Sequence, residues 1–313
     1  MYFGLSEDQV FFQDNVKKYL EDNASLDIIR KIIEDHESIY KKDIHKGIVN
    51  LGINNLLIPE DNGGLGLNLL FATAISQSLG EALAPIPFFG AYVMAPIAIN
   101  YGGSKDQINT IFNEMSNGKM NFGISFSEYF GSRGDSKIVF SNGKVNGTTL
   151  FAIDCDHASH LLVSNSNGVI GSVSLDSQGI DCVDLITVDK TRVFKEINFN
   201  NVTVEVLEKT LSSTTAIEKS LDAGRIVTAA DSLGAAQAMI DKAVSYSKER
   251  KQFNRAIGSF QAVKHMCAEM VAELEPCYSL VWHAAHSFDK DENDARLMAC
   301  HAKSHVSDVS KKV

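Results

Sequence analysis

The stretch Ser245-Tyr246-Ser247-Lys248-Glu249-Arg250-Lys251-Gln252-Phe253-Asn254, with Ile257, Phe260 and Gln261 close behind, holds the residue types that point most plainly to a ligand. A helical pattern runs into it, another leaves it, and Gly258 marks the turn between them. A guanidinium forks two hydrogen bonds onto phosphate oxygens, so Arg250 beside an aromatic suits a ligand that carries both phosphate and a plane. Plainer accounts stand beside this one. Arg250 would also serve as a solvated cation complementing the helix dipole, Phe253 as ordinary core, and Gln261 as a polar residue opening a helix.

Other chemistry-bearing groups carry less. His301 and His305 are four apart, with Asp308 nearby, and would share one helix face. No third clustered ligand joins them, so they read as surface residues and no metal is expected. His283 and His286 lie in an alanine-rich helix and read as packing. Gly63, Gly64 and Gly66 resemble a phosphate loop, but no Rossmann strand with GxGxxG precedes them, which rules that reading out. The run Asp289-Lys290-Asp291-Glu292-Asn293-Asp294 reads as a solvated loop between helices.

The elements that must position these groups fall into three parts. Residues 1–119 read as helical. Ser6 is a good N-cap with Glu7 and Asp8 in the first turn, and Val10, Phe11, Val16 and Tyr19 recur at helical spacing. Further helices fit Leu26 to Glu34, Tyr40 to Leu51, Leu69 to Leu83, Tyr92 to Tyr101 and Lys105 to Asn117. A loop at Ile58-Pro59-Glu60-Asp61-Asn62-Gly63-Gly64-Leu65-Gly66 interrupts them. Residues 120–208 change character. Short apolar or alternating runs at Met120 to Phe126, Lys137 to Phe140, Leu161 to Val163, Val169 to Leu175 and Val193 to Phe199 are parted by Ser141-Asn142-Gly143 and Ser166-Asn167-Gly168, which predicts an antiparallel β domain. Residues 209–313 return to the helical period. One long helix spans Ile217 to Arg250 with Ile226, Ala230, Leu233, Gln237, Ile240 and Val244 on one face, a second spans Phe260 to Phe288 with a kink at Pro276, and a third runs from Asp294. That third helix meets no Gly or Pro before Val313, and a bundle needs a fourth helix to close its core, so the expectation is a fragment or a short form with an incomplete bundle.

The bulk properties exclude several classes. The 313 residues are 44% hydrophobic with a formal charge of −10. A normal core is available, and the scattered Lys and Arg form no basic stripe, so nucleic acid is not an expected partner. No long apolar run spans a membrane and no secretory signal opens the chain. The cysteines at 155, 182, 267, 277 and 300 are odd in number without CxxC spacing, which reads as reduced thiols in the cytoplasm.

In order and spacing, these parts resemble the acyl-CoA dehydrogenase family over nearly the whole chain. The resemblance rests on the loop Ile58 to Gly66, on Ser127-Glu128 followed by Gly131 and Asp135, and on Arg250-Lys251-Gln252-Phe253 with Phe260-Gln261 and Met266 to Met270. Gly80-Glu81-Ala82-Leu83-Ala84-Pro85-Ile86-Pro87-Phe88 looks more particularly like a branch handling bulky acyl-CoAs, steroid side chains among them. The resemblance implies an α+β fold: N-terminal helices, a central antiparallel β domain and a C-terminal helical bundle. It also implies FAD as cofactor, an acyl-CoA substrate in lipid metabolism and fatty acid β-oxidation, an electron-transfer flavoprotein-like acceptor, and assembly as a homo- or hetero-oligomer, dimer or tetramer. A glutamate of the family takes the α-proton while the β-hydride passes to the flavin.

Residue by residue, Arg250 matches the arginine that contacts the FAD pyrophosphate of a neighbouring subunit. Phe253 matches the aromatic packed near the cofactor, and Gln261 a glutamine near the adenosine half. Ser127 matches the hydroxyl residue that bonds the flavin ring, with a strand-end hydroxyl as the plainer account. Phe151 stands where the family usually has a tryptophan against the flavin, and Ile153 where it has a hydroxyl residue. Arg225 matches an arginine close to the active site. The sequence also departs from the family. Tyr129-Phe130-Gly131-Ser132-Arg133-Gly134-Asp135 replaces a compact Pro-Gly turn, and Arg133 is a candidate for a CoA phosphate. Gly224 stands where one branch carries its catalytic glutamate, and the region where most members place theirs lies beyond Val313. Glu128 is no substitute, so no catalytic base is assigned. A non-catalytic partner that completes the FAD site of a sister subunit is the competing expectation.

Overall fold

Ser6 closes a capping box with Gln9, its Oγ accepting the Gln9 N–H while the Gln9 side chain accepts the Ser6 N–H, and this starts α1 (Glu7–Asn23). The structure, a computed structural model, describes residues 4–34, 42–131, 137–156 and 158–313. Arg133 and Asp135 lie outside the described residues. The remaining helices are α2 (Leu26–Glu34), α3 (Lys42–Asn50), α4 (Leu69–Ala82), α5 (Ala95–Gly102), α6 (Lys105–Ser116), α7 (Thr215–Glu249), α8 (Gln261–Asp289) and α9 (Ala295–Lys312). Among the described residues no helix is long and apolar enough to cross a membrane. The chain divides into two units, one holding the segment up to Leu26, Leu69–Ala84 and Arg225–Val313, the other Asp27–Asn68 and Pro85–Gly224.

The first unit is helical. α4 and α7 cross at main-chain distance: a Cβ on Gly80 would lie 2.0 Å from the Asp231 carbonyl oxygen, and one on Gly234 would lie 1.9 Å from that of Gln77. Val16 and Leu20 of α1, Ile75 and Leu79 of α4, and Ile226, Ala230, Leu233 and Ile240 of α7 are buried, as are Leu274 and Val281 of α8 and Ala302 and Val306 of α9. Gln237, on the face expected of α7, is half-buried and accepts a hydrogen bond from the Tyr278 hydroxyl at 3.0 Å. α8 runs from Gln261 to Asp289 with Pro276 inside it. Its last residue caps α4: the two carboxylate oxygens of Asp289 accept the N–H groups of Leu69 at 2.9 Å and Leu70 at 3.1 Å.

The second unit layers helices on a sheet. The strands are β1 (Phe122–Ser125), β2 (Val139–Ser141), β3 (Lys144–Ile153), β4 (His160–Ser164), β5 (Ile170–Ser174), β6 (Ile180–Leu185), β7 (Phe194–Thr203) and β8 (Glu205–Val206), in the order β6-β7-β3-β1-β4-β5-β8, with β2 paired to β3. One correction to the antiparallel expectation follows, since β1 and β4 run parallel, Phe122 beside His160 through Ser125 beside Val163. The other pairs are antiparallel. β4 is buried on both faces. Leu162 joins the core under the helices with Phe112, Phe122 and Ile217, whereas Leu161 and Val163 join Val145, Ile197 and Phe199 on the other side, which is why its sequence is an unbroken apolar run.

The helix expected from Tyr92 to Tyr101 starts earlier and differently. Phe88–Met94 is a π-helical segment, and the Ala95 N–H reaches back five residues to the Gly90 carbonyl. Pro96 follows at the first turn of α5 and has no N–H to continue the ordinary ladder.

Burial raises the Asp289 carboxyl above its ordinary range, and this outweighs the lowering by the Leu69 and Leu70 amides. The folded chain therefore binds this proton more tightly than the unfolded chain does. Its contribution to stability falls as pH rises through the interval above the ordinary carboxylate value. Urea unfolding from about pH 4 to pH 7 is expected to show a flatter pH dependence in Asp289→Asn than in wild type. Asp289→Ala, which removes the cap, should cost about 1–2 kcal/mol at neutral pH. Parallel curves for wild type and Asp289→Asn would refute the assignment.

Candidate functional site

In the second unit the site residues cluster where β1 leaves the sheet. After Ser125 the chain turns through a short 3-10 segment, Ser127–Phe130, in which Glu128 is buried. The Ser127 Oγ accepts the Leu150 N–H at 3.3 Å and lies 3.4 Å from Thr149 Oγ1. Thr149 Oγ1 in turn lies 2.6 Å from Ser125 Oγ, which donates to the Leu150 carbonyl at 3.1 Å. Three hydroxyls thus form a chain against the middle of β3. Pairing of β3 with β7 shifts register between Thr149 and Ala152, and inside that irregularity Phe151 takes φ +56°. The ring is 53% exposed. A large residue at positive φ costs about 1–2 kcal/mol and persists where its surroundings force it. Ile153, half-buried, packs against the core under the helices.

Gly224 lies on the part of α7 that belongs to this unit. A Cβ there would stand 2.6 Å from the Met94 sulfur. Position 224 is therefore both without a side chain and closely covered by one.

In the first unit the hairpin after α7 presents its side chains outward. β9 (Lys251–Gln252) and β10 (Arg255–Ala256) pair antiparallel, joined by Phe253 and Asn254 at φ +51° and +63°. Two positive φ values make this a type I′ turn, the kind that matches strand twist but favours Asn and Gly. Phe253 is 87% exposed. Its ring meets that of Phe260 edge-to-face, centroids 6.1 Å apart, while the Arg255 guanidinium lies 4.0 Å over the Phe260 ring. The Arg250 main chain is pinned by its N–H to Tyr246 and by the Ile257 N–H to its carbonyl at 2.8 Å. Its side chain is exposed, as are those of Lys251, Arg255 and Gln261. Gln261 opens α8, whose N-cap residue Phe260 offers no side-chain cap. The first N–H groups of α8 thus follow a hairpin that carries three exposed cations, with Arg255 over the N-cap residue Phe260, an arrangement that attracts an anion.

Of the residues singled out from sequence, Ser127 and Phe151 come together through Thr149 and Leu150, and Arg250, Phe253 and Gln261 share one hairpin and helix start. Arg225, half-buried, is a long way down α7 from Arg250, about 37 Å at 1.5 Å per residue. Sequence reading missed Ser125, Thr149 and Asp154. The alternation Ser125-Phe126-Ser127 was the available signal for the first. Among the described residues no three His, Cys, Asp or Glu side chains gather as a metal site would need, and His301 and His305 are exposed on α9.

Residues 6–119 match the family model for the acyl-CoA dehydrogenase N-terminal domain, and residues 214–313 match that for the acyl-CoA dehydrogenase C-terminal domain. The structure is similar to butyryl-CoA dehydrogenase from Megasphaera elsdenii, with TM-score 0.85 and 22% identity over 99% of this chain and 86% of that one. It is similar to the ChsE4-ChsE5 complex from Mycobacterium tuberculosis, with TM-score 0.84 and 20% identity over 99% of this chain and 87% of that one. PigA with FAD and proline gives TM-score 0.87 and 18% identity over 100% of this chain and 86% of that one. At these identities the likeness is one of fold.

Phe253 holds a strained position with little packing, so Phe253→Gly should leave the unfolding free energy in urea within about 1 kcal/mol of wild type, relief of the positive φ offsetting the lost ring contact and the entropy of glycine. A loss above about 2 kcal/mol would make Phe253 a core residue instead.

Proposed function

Because the chain belongs to the acyl-CoA dehydrogenase family, we propose that it is a FAD-binding subunit for α,β-dehydrogenation of an acyl-CoA thioester. The observation that carries this reading is the strained, exposed aromatic Phe151 beside the Ser127 hydroxyl. The residues fit the cofactor's chemistry: an aromatic face and a hydroxyl for the ring, and cations at an uncapped helix start for the pyrophosphate. When bound, FAD supplies the hydride acceptor.

On this reading Phe151 stacks on the ring and Ser127 hydrogen-bonds its polar edge. Arg250 holds the pyrophosphate of a neighbouring subunit's cofactor, with Phe253 packed beside it and Gln261 at the adenosine half. Arg225 serves the substrate side. The division into 1–119, 120–208 and 209–313 is proposed as the domain arrangement, which the family matches at 6–119 and 214–313 support. A bulky, steroid-type acyl group is the proposed substrate class, an electron-transfer flavoprotein-like protein the acceptor, and the cytoplasm the compartment. The likeness to the ChsE4-ChsE5 complex supports the hetero-oligomer, and the odd cysteine count without CxxC spacing is what favours the reducing compartment.

A second reading is favoured by Ile153 and by Met94 lying over Gly224. Under it the chain lends the adenosine end of the site to a competent sister subunit and supplies no base of its own.

The test is to purify the chain alone and with a full-length family member, and to measure bound flavin by absorbance. Flavin is expected in the complex, and Arg250→Ala should weaken its retention about tenfold or more, the effect of losing a hydrogen bond to a charged group. A matching loss in Ser127→Ala supports the catalytic subunit, and a silent Ser127→Ala supports the partner reading. Absence of flavin under every partner condition would end both.

A further inference from the structure

Asp154, the residue after β3, has no task in the proposed function. It sits at φ +60° and is 4% exposed. Its Oδ2 accepts the N–H of Gly90 at 2.7 Å and of Ala91 at 3.2 Å. Those amides lie in the first turn of the π-helical segment, where no carbonyl of the same helix reaches them, and the N-cap residue Pro87 offers no side-chain cap. A Cβ on Gly90 would stand 2.7 Å from that oxygen and 3.1 Å from Cγ1 of both Ile124 and Ile153. Gly90 is therefore what lets the end of β3 come so close.

The same segment is held at two further points. Tyr92 Oη and His45 Nε2 lie 2.5 Å apart. The Met94 carbonyl accepts the Ser220 Oγ at 2.8 Å, with the Met94 side chain over Gly224. Burial first, and the Asp154 charge second, push the Tyr92 hydroxyl well above its ordinary value, so it stays protonated.

A carboxylate that only caps a helix needs no strain. Here two residues with positive φ, Phe151 and Asp154, bracket Ala152 and Ile153. A phenylalanine enters the left-handed region at a real cost and an aspartate more readily, so the surroundings must hold Phe151 in place. The hydroxyl chain holds one side of Phe151, and the bonds from Asp154 to Gly90 and Ala91 hold the other.

We propose that Asp154 is a positioning residue, whose carboxylate fixes the Phe151 ring relative to the π-helical segment so that the aromatic face and the wall opposite Gly224 move as one piece. The consequence for FAD rests on the reading of Phe151 given above; the mechanical coupling does not.

Hydrogen exchange by mass spectrometry on the full chain tests the coupling without any cofactor. Asp154→Ala is expected to speed exchange on the order of tenfold in both 88–94 and 149–153, with α9 unchanged as the internal control. Asp154→Asn keeps an accepting oxygen and should stay near wild type. Gly90→Ala provides a second route, because its methyl pushes Oδ2 away from the helix side, and it too should speed exchange in 149–153. If exchange rises in 88–94 alone, in Asp154→Ala or Gly90→Ala, Asp154 is a cap and the proposal fails. Titration with FAD in the presence of the full-length partner gives the second arm. Asp154→Ala should bind about tenfold more weakly and alter the shape of the flavin band, while Asp154→Asn does neither. Where wild type binds FAD, equal binding and spectra for wild type and Asp154→Ala would overturn the proposal. If wild type takes no FAD while both segments respond in exchange, the flavin reading fails and the coupling is upheld.

Discussion

The crossing of α4 and α7 sets the geometry on which the first unit depends. Side chains usually fix the distance between two packed helices. Here glycines remove them on both sides, Gly80 facing the Asp231 carbonyl and Gly234 facing that of Gln77. Main chain meets main chain, and neither helix can slide: a shift of one residue would bring a Cβ against a carbonyl oxygen. The axial register of α7 is fixed as a result, and with it the positions of Arg225 and Arg250 along one rigid rod. Side-chain bonds support the same arrangement. The Ser76 hydroxyl donates to the Val227 carbonyl at 2.7 Å, and Asp289 closes the N-terminus of α4.

Two places pair non-glycine residues at positive φ: Phe151 with Asp154 at the end of β3, and Phe253 with Asn254 in the hairpin after α7. The two sites manage the strain differently. At β3 the strain is enclosed by hydrogen bonds, through Ser127 and Leu150 on one side and Asp154 on the other. In the hairpin it is tolerated because the I′ turn closes two short strands and leaves Phe253 in solvent. An aromatic kept at such a position with so little packing is poorly explained by stability, and strain of this kind collects where a ligand is held.

Much of this order could be read from the sequence, for reasons that differ by element. α1 and α6 begin at Ser6 and Ser104, whose capping boxes are local and need no tertiary context. α7 was legible because its buried positions keep the helical period over many turns. β3 was not legible: Asn146 and Gly147 break its pattern, and its pairing with β7 slips register twice, so no clean alternation survives. β6 was missed because its residues are mostly exposed at the sheet edge, leaving no apolar face to count. The π-helical start at Phe88 depends on Pro96 and on Asp154, one beyond the segment and one far along the chain. The parallel pairing of β1 with β4 is likewise a long-range choice. In the site, Arg250, Phe253 and Gln261 are sequence neighbours and were visible together. The chain Ser125–Thr149–Ser127 was not, because it forms only when β1 and β3 pair.

On the proposed reading, magnitudes separate cofactor binding from chemistry in this chain. Ile153 offers no hydroxyl, and those of Ser125 and Thr149 are committed to each other at 2.6 Å. A ring lying on Phe151 would therefore lose one neutral hydrogen bond, worth about 1 kcal/mol net. The hairpin end keeps Arg250, Lys251 and Arg255 exposed beside an uncapped helix start, and a hydrogen bond to a charged group contributes about 1.5–3 kcal/mol. On the proposed reading the phosphate end would outweigh the missing ring contact, so cofactor binding would tolerate isoleucine at position 153. Position 224 is less forgiving. A side chain there must first displace Met94, whose main chain is tied to Ser220, so placing one requires moving the π-helical segment as well as changing one residue.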